Sequence, residues 1–304
     1  MDQASNPSTQ VSAPAAAPAA APASDPGRGR NPPEARPGLA VQKVMHPLKA
    51  RLLQVRRTAR LTPYLVRVTL AGDELAGFVS ASFDDHVKIF LPPGMDAAPA
   101  LPEIGPRGPA WPDDAPRPVS RDYTPRRYDP DAGELDLEFV LHGDGPAAAW
   151  AAQARPGHYL GVAGPRGSFV IPREYDWHLL IGDETALPAI GRRLDELPPG
   201  ARALAVIETR HPSARLALDS AADLSLQWVR RGTDVADGSS ALERAVRRLV
   251  LPEGEGYAWA AGESGAIRRI RQHLVEERGL DKSRVRAASY WRLGASGAHE
   301  VFGD

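Results

Sequence analysis

The chain has 304 residues, which is enough for two domains that each bury a hydrophobic core. Its formal net charge is -1 and no apolar run approaches the ~18 residues needed to span a bilayer, so we expect a soluble, cytoplasmic protein without nucleic-acid or membrane partners. Cysteine is absent, which excludes disulfides, thiol catalysis and thiolate-held clusters, so redox chemistry would require a bound cofactor.

Residues 1–38 are rich in alanine and proline and contain few large apolar side chains. Because such a segment buries too little surface to offset its ordering entropy, we predict a disordered tail. Prolines interrupt every alanine run and the first charge is Asp2, which argues against a signal peptide.

Residues 45–172 show the alternation that is typical of β-strands. Short alternating or β-branched runs occur at 53–55, 65–70, 86–91, 134–140 and 158–162. Strands at this spacing, with almost no helix between them, predict a small antiparallel β-barrel. The stretch at 93–118 is rich in Pro, Gly and Asp and is predicted to be a long loop on that barrel.

Residues 173–304 alternate between strand and helix patterns. Strands are predicted at 178–182, 203–207, 226–229, 257–260 and 285–291, and helices at 185–197, 239–249 and 264–278. This alternation predicts a parallel, doubly wound sheet of the nucleotide-binding type. The predicted fold class is therefore α+β with two domains, an N-terminal antiparallel barrel and a C-terminal α/β domain.

The segment 121–126 combines a cation, an aromatic ring and a hydroxyl in one short extended stretch. Arg121 can bind a phosphate bidentately, Tyr123 can stack on a flat ring system, and Thr124 can bond a ring nitrogen. These residue types favour a half-site for a flavin dinucleotide. An ordinary solvent-facing strand would contain the same residue types, so the hexapeptide alone leaves both interpretations open.

Three turns are candidate phosphate or ribose sites. At 142–151, Gly and Pro precede an Ala-rich helix, whose first amides and dipole suit an anion such as a pyrophosphate. The exits of the first and fourth strands of the α/β domain are the usual ligand edge of such a sheet, although capping by Asp183 or a simple tight turn explains them equally well. The candidate residues are His142, Gly145, Pro146 and Ala147, then Asp183, Glu184 and Thr185, then Ala261, Gly262 and Glu263.

Taken together, the motifs resemble the siderophore-interacting protein family, the ferric-siderophore reductases of the ferredoxin-reductase-like group. They occur in the family's order at 121–126, 142–151, 164–168, 182–189, 261–263 and 290–294. The similarity covers roughly residues 45–297, and the block Gly182–Ala189 is its most discriminating part. Two positions depart from the wider group, since Ala148 replaces a frequent hydroxyl residue and Ala261 replaces a frequent cysteine.

The resemblance implies FAD on the barrel and NAD(P)H on the α/β domain. It implies that Arg121 contacts the FAD phosphates, that Tyr123 stacks on the isoalloxazine and that Thr124 lies near its redox-active edge. The turn at 145–147 would take the pyrophosphate, with residues 183–185 and 261–263 flanking the nicotinamide. The implied substrate is a ferric siderophore, from which iron is released as Fe(II).

Several sequence features leave alternatives open. Arg126, Arg230 and Arg292 are candidates for binding an anionic ferric siderophore, with Arg127 and Arg231 as neighbours, and Tyr290 and Trp291 are candidates for covering the flavin. Glu208 would favour a free ribose 2′-hydroxyl, whereas Arg210 would favour a 2′-phosphate. A flavin reductase, a non-catalytic flavin- or siderophore-binding module and, from Ser264 in Gly-Glu-Ser-Gly, a serine hydrolase are the competing functions. The eight histidines show no metal-ligand spacing, so we predict no metal site.

Overall fold

The structure is a computed structural model that describes residues 39–111, 116–141, 145–232, 238–294 and 300–302. The predicted tail at 1–38 lies outside the described residues. In the described part of the chain, no helix combines the length and the apolar character that crossing a membrane requires.

The first domain is built from antiparallel strands with one helix. A seven-stranded sheet has the order β7-β4-β10-β2-β3-β9-β8, while β1 pairs with β11 and β5 pairs with β6. The elements are β1 (Gln42–Met45), β2 (Ala50–Thr62), β3 (Leu65–Ala71), β4 (Val87–Phe90), β5 (Glu103–Gly105), β6 (Gly108–Ala110), β7 (Ser120–Tyr123), β8 (Arg127–Asp129), β9 (Glu134–Val140), α1 (Pro146–Gln153), β10 (Tyr159–Ala163) and β11 (Gly167–Val170).

Two details differ from the predicted barrel. The edge strands β7 and β8 follow each other in the chain but are not hydrogen-bonded to one another, so the sheet is not closed. Residues 124–126 separate the two strands and include Pro125, which has no amide proton to contribute to a ladder. The predicted long loop also contains the short hairpin of β5 and β6.

Strand β9 shows why this sheet forms from its sequence. Leu135, Leu137 and Phe139 alternate along the strand and are fully buried in the core. The intervening Glu134 and Glu138 point to the opposite face, where arginines of neighbouring strands cover them and form ion pairs. Both faces of β9 are thus buried, one by apolar packing and the other by paired charges.

The second domain is a parallel sheet with the order β14-β13-β12-β15-β16, extended by the antiparallel strand β17. The five predicted parallel strands are confirmed, but the β13–β14 connection contains a short 3-10 turn (Pro212–Ala214) in place of a helix. The elements are β12 (Trp177–Asp183), α2 (Leu187–Glu196), β13 (Arg202–Thr209), β14 (Asp223–Arg230), α3 (Ala241–Arg247), β15 (Gly256–Glu263), α4 (Ser264–Gln272), β16 (Val285–Trp291) and β17 (Glu300–Phe302).

One hydrophobic core spans both domains. Phe83 of the first domain packs edge-on against Trp259 of β15, with ring centroids 5.5 Å apart. The neighbouring Asp84 is buried, accepts a 2.7 Å hydrogen bond from Trp259 Nε1 and pairs with Arg286 of β16. Arg192 of α2 donates to Ser80 Oγ at 2.7 Å. The two sheets therefore meet through buried apolar contacts and charge-assisted hydrogen bonds.

Candidate functional site

Strand β7 presents the predicted flavin motif at the boundary between the two domains. The β4–β7 register places Arg121 beside Ile89 and Tyr123 beside Val87, so both motif residues lie on the same face as these core side chains. The Tyr123 ring is half-buried, with its centroid 4.4 Å from that of Phe139, and burial raises the pKa of its hydroxyl. This packing gives a fixed aromatic ring that is still partly accessible.

Thr124 is held by a residue from the other domain. It is 6% exposed, and its hydroxyl is hydrogen-bonded to that of Tyr290 on β16. Tyr290 in turn packs edge-on against Trp259, with centroids 6.3 Å apart. The hydroxyl predicted to approach the redox-active edge of the flavin is therefore positioned by the α/β domain. Tyr290 therefore both packs against the core and supports Thr124.

Helix α1 begins with the geometry of an anion site. Gly145 precedes it in an extended conformation, Pro146 occupies the first turn, and no side chain caps the helix in the described residues. The first turn contains no acidic residue, so its amides and the positive end of the helix dipole are available to a phosphate. Ala147 is buried against the barrel core, which fixes the helix. His142, the fourth residue predicted here, lies outside the described residues.

The carboxyl edge of the parallel sheet, where β12, β13 and β15 end, contains Asp183 and Glu184, two acids predicted to flank the nicotinamide of the electron donor. Asp183 accepts hydrogen bonds from both the amide and the hydroxyl of Thr185, at 2.9 and 2.5 Å. Its second oxygen accepts one from Trp291 Nε1 at 2.7 Å. Asp183 therefore orders the strand exit and fixes the indole at the end of β16.

A single guanidinium lies among three carboxylates at this edge. Arg231 pairs with Glu208 at 2.6 Å and lies 3.4 Å from both Asp183 and Glu184. Glu184 also accepts a hydrogen bond from the Arg210 amide, and burial raises the pKa of its carboxyl group. These acids are therefore engaged by protein groups.

At the ends of β12 and β15, Gly182 and Gly262 allow the chain segments to lie close together. A side chain at Gly182 would place its Cβ 2.3 Å from Ala186 Cβ and 2.8 Å from the Ala261 carbonyl oxygen. Gly262 has a φ of +152°, and a Cβ there would lie 2.9 Å from Asp183 Oδ2. Both positions need glycine, because any side chain would collide with the neighbouring strand or turn, and both lie at the edge of the sheet where dinucleotides bind in this fold class.

Glu263 and Ser264 have structural roles at the start of α4. Glu263 caps the helix by accepting a 2.9 Å hydrogen bond from the Ala266 amide. Ser264 is buried, and His273 Nδ1 contacts Arg247 and Glu277. No nucleophile–base pair forms at the Gly-Glu-Ser-Gly turn in the described residues, so the geometry does not favour the hydrolase alternative.

The three arginines predicted to bind substrate are not brought together. Arg126 is 15% exposed, pairs with Asp195 at 2.7 Å and lies against Gly191 of α2, so it links the domains. Arg230 is exposed at the end of β14, and Arg292 is exposed just after β16. The geometry gives no support to Arg126 as a substrate ligand, because its guanidinium is already paired between two elements.

A cavity of about 470 Å³ lies on the opposite face of β7 and was not predicted from the sequence. Ser120 and Asp122 line it, alternating with the flavin-motif residues, and the β5–β6 hairpin contributes Ile104 and Pro109. Its wall combines rings with basic side chains, namely Phe90, Trp111, His86, Lys88, Arg117 and Arg166. We refer to it as the β4–β7 cavity.

The sequence contained a weak signal for this cavity. His86 directly precedes β4 and Lys88 lies on it, two residues further along, and both line the cavity. Lys88 forms a 2.7 Å ion pair with Asp122 across the β4–β7 ladder. Arg166 comes from the turn that follows β10, far away in sequence. Only the strand order β7-β4-β10 places these three residues side by side.

The residues at these two sites fit the cofactors that this fold class uses. A partly exposed tyrosine ring, the uncapped helix amides of α1 and the nearby Arg121 suit a flavin dinucleotide, which needs stacking and phosphate contacts. The glycine-lined carboxyl edge of the parallel sheet suits a pyridine dinucleotide. The fold and site thus define a two-domain, flavin- and pyridine-nucleotide-binding protein of the ferredoxin-reductase type.

Comparison with known proteins narrows this class. The chain matches the siderophore-interacting FAD-binding domain over residues 54–169 and the siderophore-interacting protein family over residues 175–294. The NADPH-dependent ferric-chelate reductase of Escherichia coli is 36% identical over 253 residues, covering 82% of this chain and 96% of that protein. The ferric vibriobactin reductase of Vibrio cholerae is 32% identical over 247 residues, covering 80% of this chain and 90% of that protein.

The solved structures agree with these relatives. A siderophore utilization protein from T. fusca has a TM-score of 0.76 and 39% sequence identity, covering 85% of this chain and 98% of that one. The chain belongs to the siderophore-interacting protein family.

Proposed function

We propose that this protein is an FAD-dependent NAD(P)H:ferric-siderophore reductase. The observation that carries the proposal is the setting of Tyr123 and Thr124. The Tyr123 ring packs on Phe139, which in turn packs on Trp150 of α1, and Thr124 is hydrogen-bonded to Tyr290 of the α/β sheet. When bound, FAD would supply the chemistry that reduction of Fe(III) to Fe(II) requires, namely hydride acceptance from a dihydronicotinamide and release of electrons one at a time.

The residues of this chain supply binding and orientation. Arg121 and the α1 amides hold the phosphates of the dinucleotide, and Tyr123 supports one face of its ring system. Thr124, fixed by Tyr290, presents a hydroxyl at the ring edge. Ala261 and Gly262 have a small side chain or none at the edge proposed for the nicotinamide, and a Cβ at Gly262 would lie 2.9 Å from Asp183 Oδ2 of β12.

The β4–β7 cavity is the proposed site for the ferric siderophore. Its volume lies within the range of small-molecule sites, and Lys88, Arg117 and Arg166 outnumber the single acid Asp122. Ferric complexes of catecholate siderophores are anionic, so these cations attract them, and the rings of Phe90 and Trp111 suit planar aromatic donors. Iron is cargo in this scheme, since its donor atoms come from the siderophore.

The proposal is tested by purifying the protein, recording its visible spectrum with and without added FAD, and adding NADPH or NADH without oxygen. We expect a flavin band that bleaches, followed by Fe(II) formation from a ferric tricatecholate, trapped by a ferrous-specific chelator. A preparation that takes up no FAD, or whose flavin neither nicotinamide reduces, would end the proposal.

The substrate site has its own test. Lys88→Gln with Arg166→Gln should raise the KM for an anionic ferric chelate roughly tenfold or more, because two charge-assisted contacts are lost. The rate of flavin reduction by the nicotinamide should stay the same. Arg60→Gln, an exposed arginine on β2, is the matched control. An unchanged KM in the double variant would remove the cavity from the proposal while leaving the reductase activity intact.

A further inference from the structure

The carboxyl end of β13 is where the sheet would meet the adenosine ribose of the electron donor. In doubly wound sheets, an acid near the end of the second strand binds a free ribose 2′-hydroxyl, whereas an arginine nearby accommodates a 2′-phosphate. The second strand of this domain ends with Glu208 and Thr209, and Arg210 follows directly. The structure distinguishes between these two residues.

Glu208 is already occupied by protein groups. Its side chain is 9% exposed, and Oε2 accepts a 2.6 Å hydrogen bond from Arg231 Nε. Oε1 accepts one from the Leu242 amide at 3.3 Å. To bind a ribose hydroxyl, Glu208 would have to give up a buried ion pair, which is costly when the partner charge remains behind. Glu208 is therefore a poor ligand for the ribose.

Arg210 has the opposite properties. Its residue is exposed, and its guanidinium makes no hydrogen bond or ion pair within the described part of the chain. Its backbone is fixed, because the amide donates to the buried carboxylate of Glu184. Arg210 directly follows β13, and its amide contact places its backbone next to Glu184, one of the carboxylates that Arg231 joins. A free cation is thus held at the edge where the donor's ribose is expected.

From this arrangement we infer that Arg210 selects a 2′-phosphorylated donor, NADPH over NADH, by pairing with the 2′-phosphate. The inference rests on the proposed function, since it concerns the donor of that reaction. Arg231 cannot replace Arg210, because three carboxylates already engage it. A dianionic phosphate gains a charge-assisted contact with Arg210 that a 2′-hydroxyl does not.

The test measures binding of fragments, so it requires neither flavin nor iron. Calorimetry at one fixed ionic strength compares 2′,5′-ADP with 5′-ADP, which differ only in the 2′-phosphate. We expect the wild-type protein to bind 2′,5′-ADP roughly tenfold or more tightly. Arg210→Gln should bring the ratio of the two affinities close to one, and Arg210→Lys should keep an intermediate ratio because the point charge remains.

Arg202→Gln is the matched control, because Arg202 is an exposed arginine at the amino end of the same strand. It should leave the affinity ratio unchanged, and thermal unfolding should confirm that each variant is folded. The ratio of kcat/KM for NADPH and NADH should fall in Arg210→Gln by the same factor as the binding ratio.

The possible results distinguish the role of Arg210 from the proposed reductase activity. Equal wild-type affinities for the two fragments, or an unchanged ratio in Arg210→Gln, would overturn the role of Arg210 while leaving ferric-siderophore reduction intact. A protein that binds neither fragment but is reduced by a nicotinamide would also overturn it. A protein that binds 2′,5′-ADP tightly but takes up no FAD would support Arg210 and refute the proposed reductase.

Discussion

The flavin side and the donor side of this molecule use polar residues in different ways. On the flavin side, the start of α1 has no side-chain cap and Tyr123 keeps part of its ring exposed. On the donor side, Asp183, Glu184 and Glu208 already have protein partners. Residue type alone does not distinguish a polar side chain that protein groups engage from one that is available to a ligand, so the ligand contacts on both sides stay predictions.

The largest expected effect comes from removing the cation that the donor-side acids share. Arg231→Met should lower the free energy of unfolding by about 3–5 kcal/mol at pH 7, because three carboxylates lose their common partner. Chemical denaturation measures this loss. Arg230→Met, at the exposed neighbouring position, should change the same quantity by less than about 0.5 kcal/mol. Equal effects of the two substitutions would show that the acids do not depend on Arg231.

The two domains should respond to acid in different pH ranges. Burial, together with nearby Arg193, lowers the pKa of His178 to about 4. The unfolded chain takes up a proton near pH 6.5 and the folded protein only near pH 4, so the free energy of unfolding falls as pH drops through that window, by about 3 kcal/mol. Denaturation series at several pH values measure this slope, and His178→Gln should flatten it.

Glu134 in the first domain provides the contrast. Hydrogen bonds from Arg57 and then Arg127 lower the pKa of Glu134 to about 2. Its stabilising contribution is complete above the unfolded value of 4.5 and disappears only as the pH falls towards 2. Glu134→Gln should therefore destabilise the protein equally at pH 7 and pH 6 and leave the His178 slope unchanged. If the pH dependence of the free energy of unfolding disappeared in Glu134→Gln, the acid sensitivity would belong to the first domain and not to His178.

Replacing the aromatic ring on the flavin side should have a smaller effect. Tyr123→Leu keeps an apolar side chain against Phe139 but removes the ring, so the affinity for FAD should fall about tenfold. Tyr123→Phe retains the ring and should bind FAD within about threefold of the wild-type protein. Titrating FAD into the apoprotein by fluorescence measures both, and a Leu variant that binds as tightly as the Phe variant would rule out stacking.

The smallest effect is expected at the hydrogen bond between Thr124 and Tyr290, which joins the flavin side to the donor side. A double-mutant cycle with Tyr290→Phe and Thr124→Val should give a coupling of about 1 kcal/mol in the free energy of unfolding, since each substitution breaks the same hydroxyl–hydroxyl bond. Denaturation of the four proteins measures this coupling. Strictly additive effects would mean that Thr124 is positioned by its own strand alone.

The sequence predicted the parallel sheet well because its central strands β12, β13 and β15 are nearly continuous apolar runs, which have few alternative structures. Helix α2 begins at Leu187, later than predicted, because Asp183 caps a short 3-10 turn before it. The interaction of Arg126 with Asp195 could not be predicted, since the two residues are far apart in the chain and meet only after the domains pack. The position of Arg231 among three strand ends depends on register in the same way.

Because the two domains share one hydrophobic core, neither can be exchanged alone for the corresponding domain of another reductase. Phe83 and Asp84 belong to the first domain, but their partners Trp259 and Arg286 belong to the second. A chimera that joins this first domain to the donor domain of a distant reductase would leave an apolar ring in water and a carboxylate buried without its cation. The two domains have to be exchanged as a matched pair, or together with those four side chains.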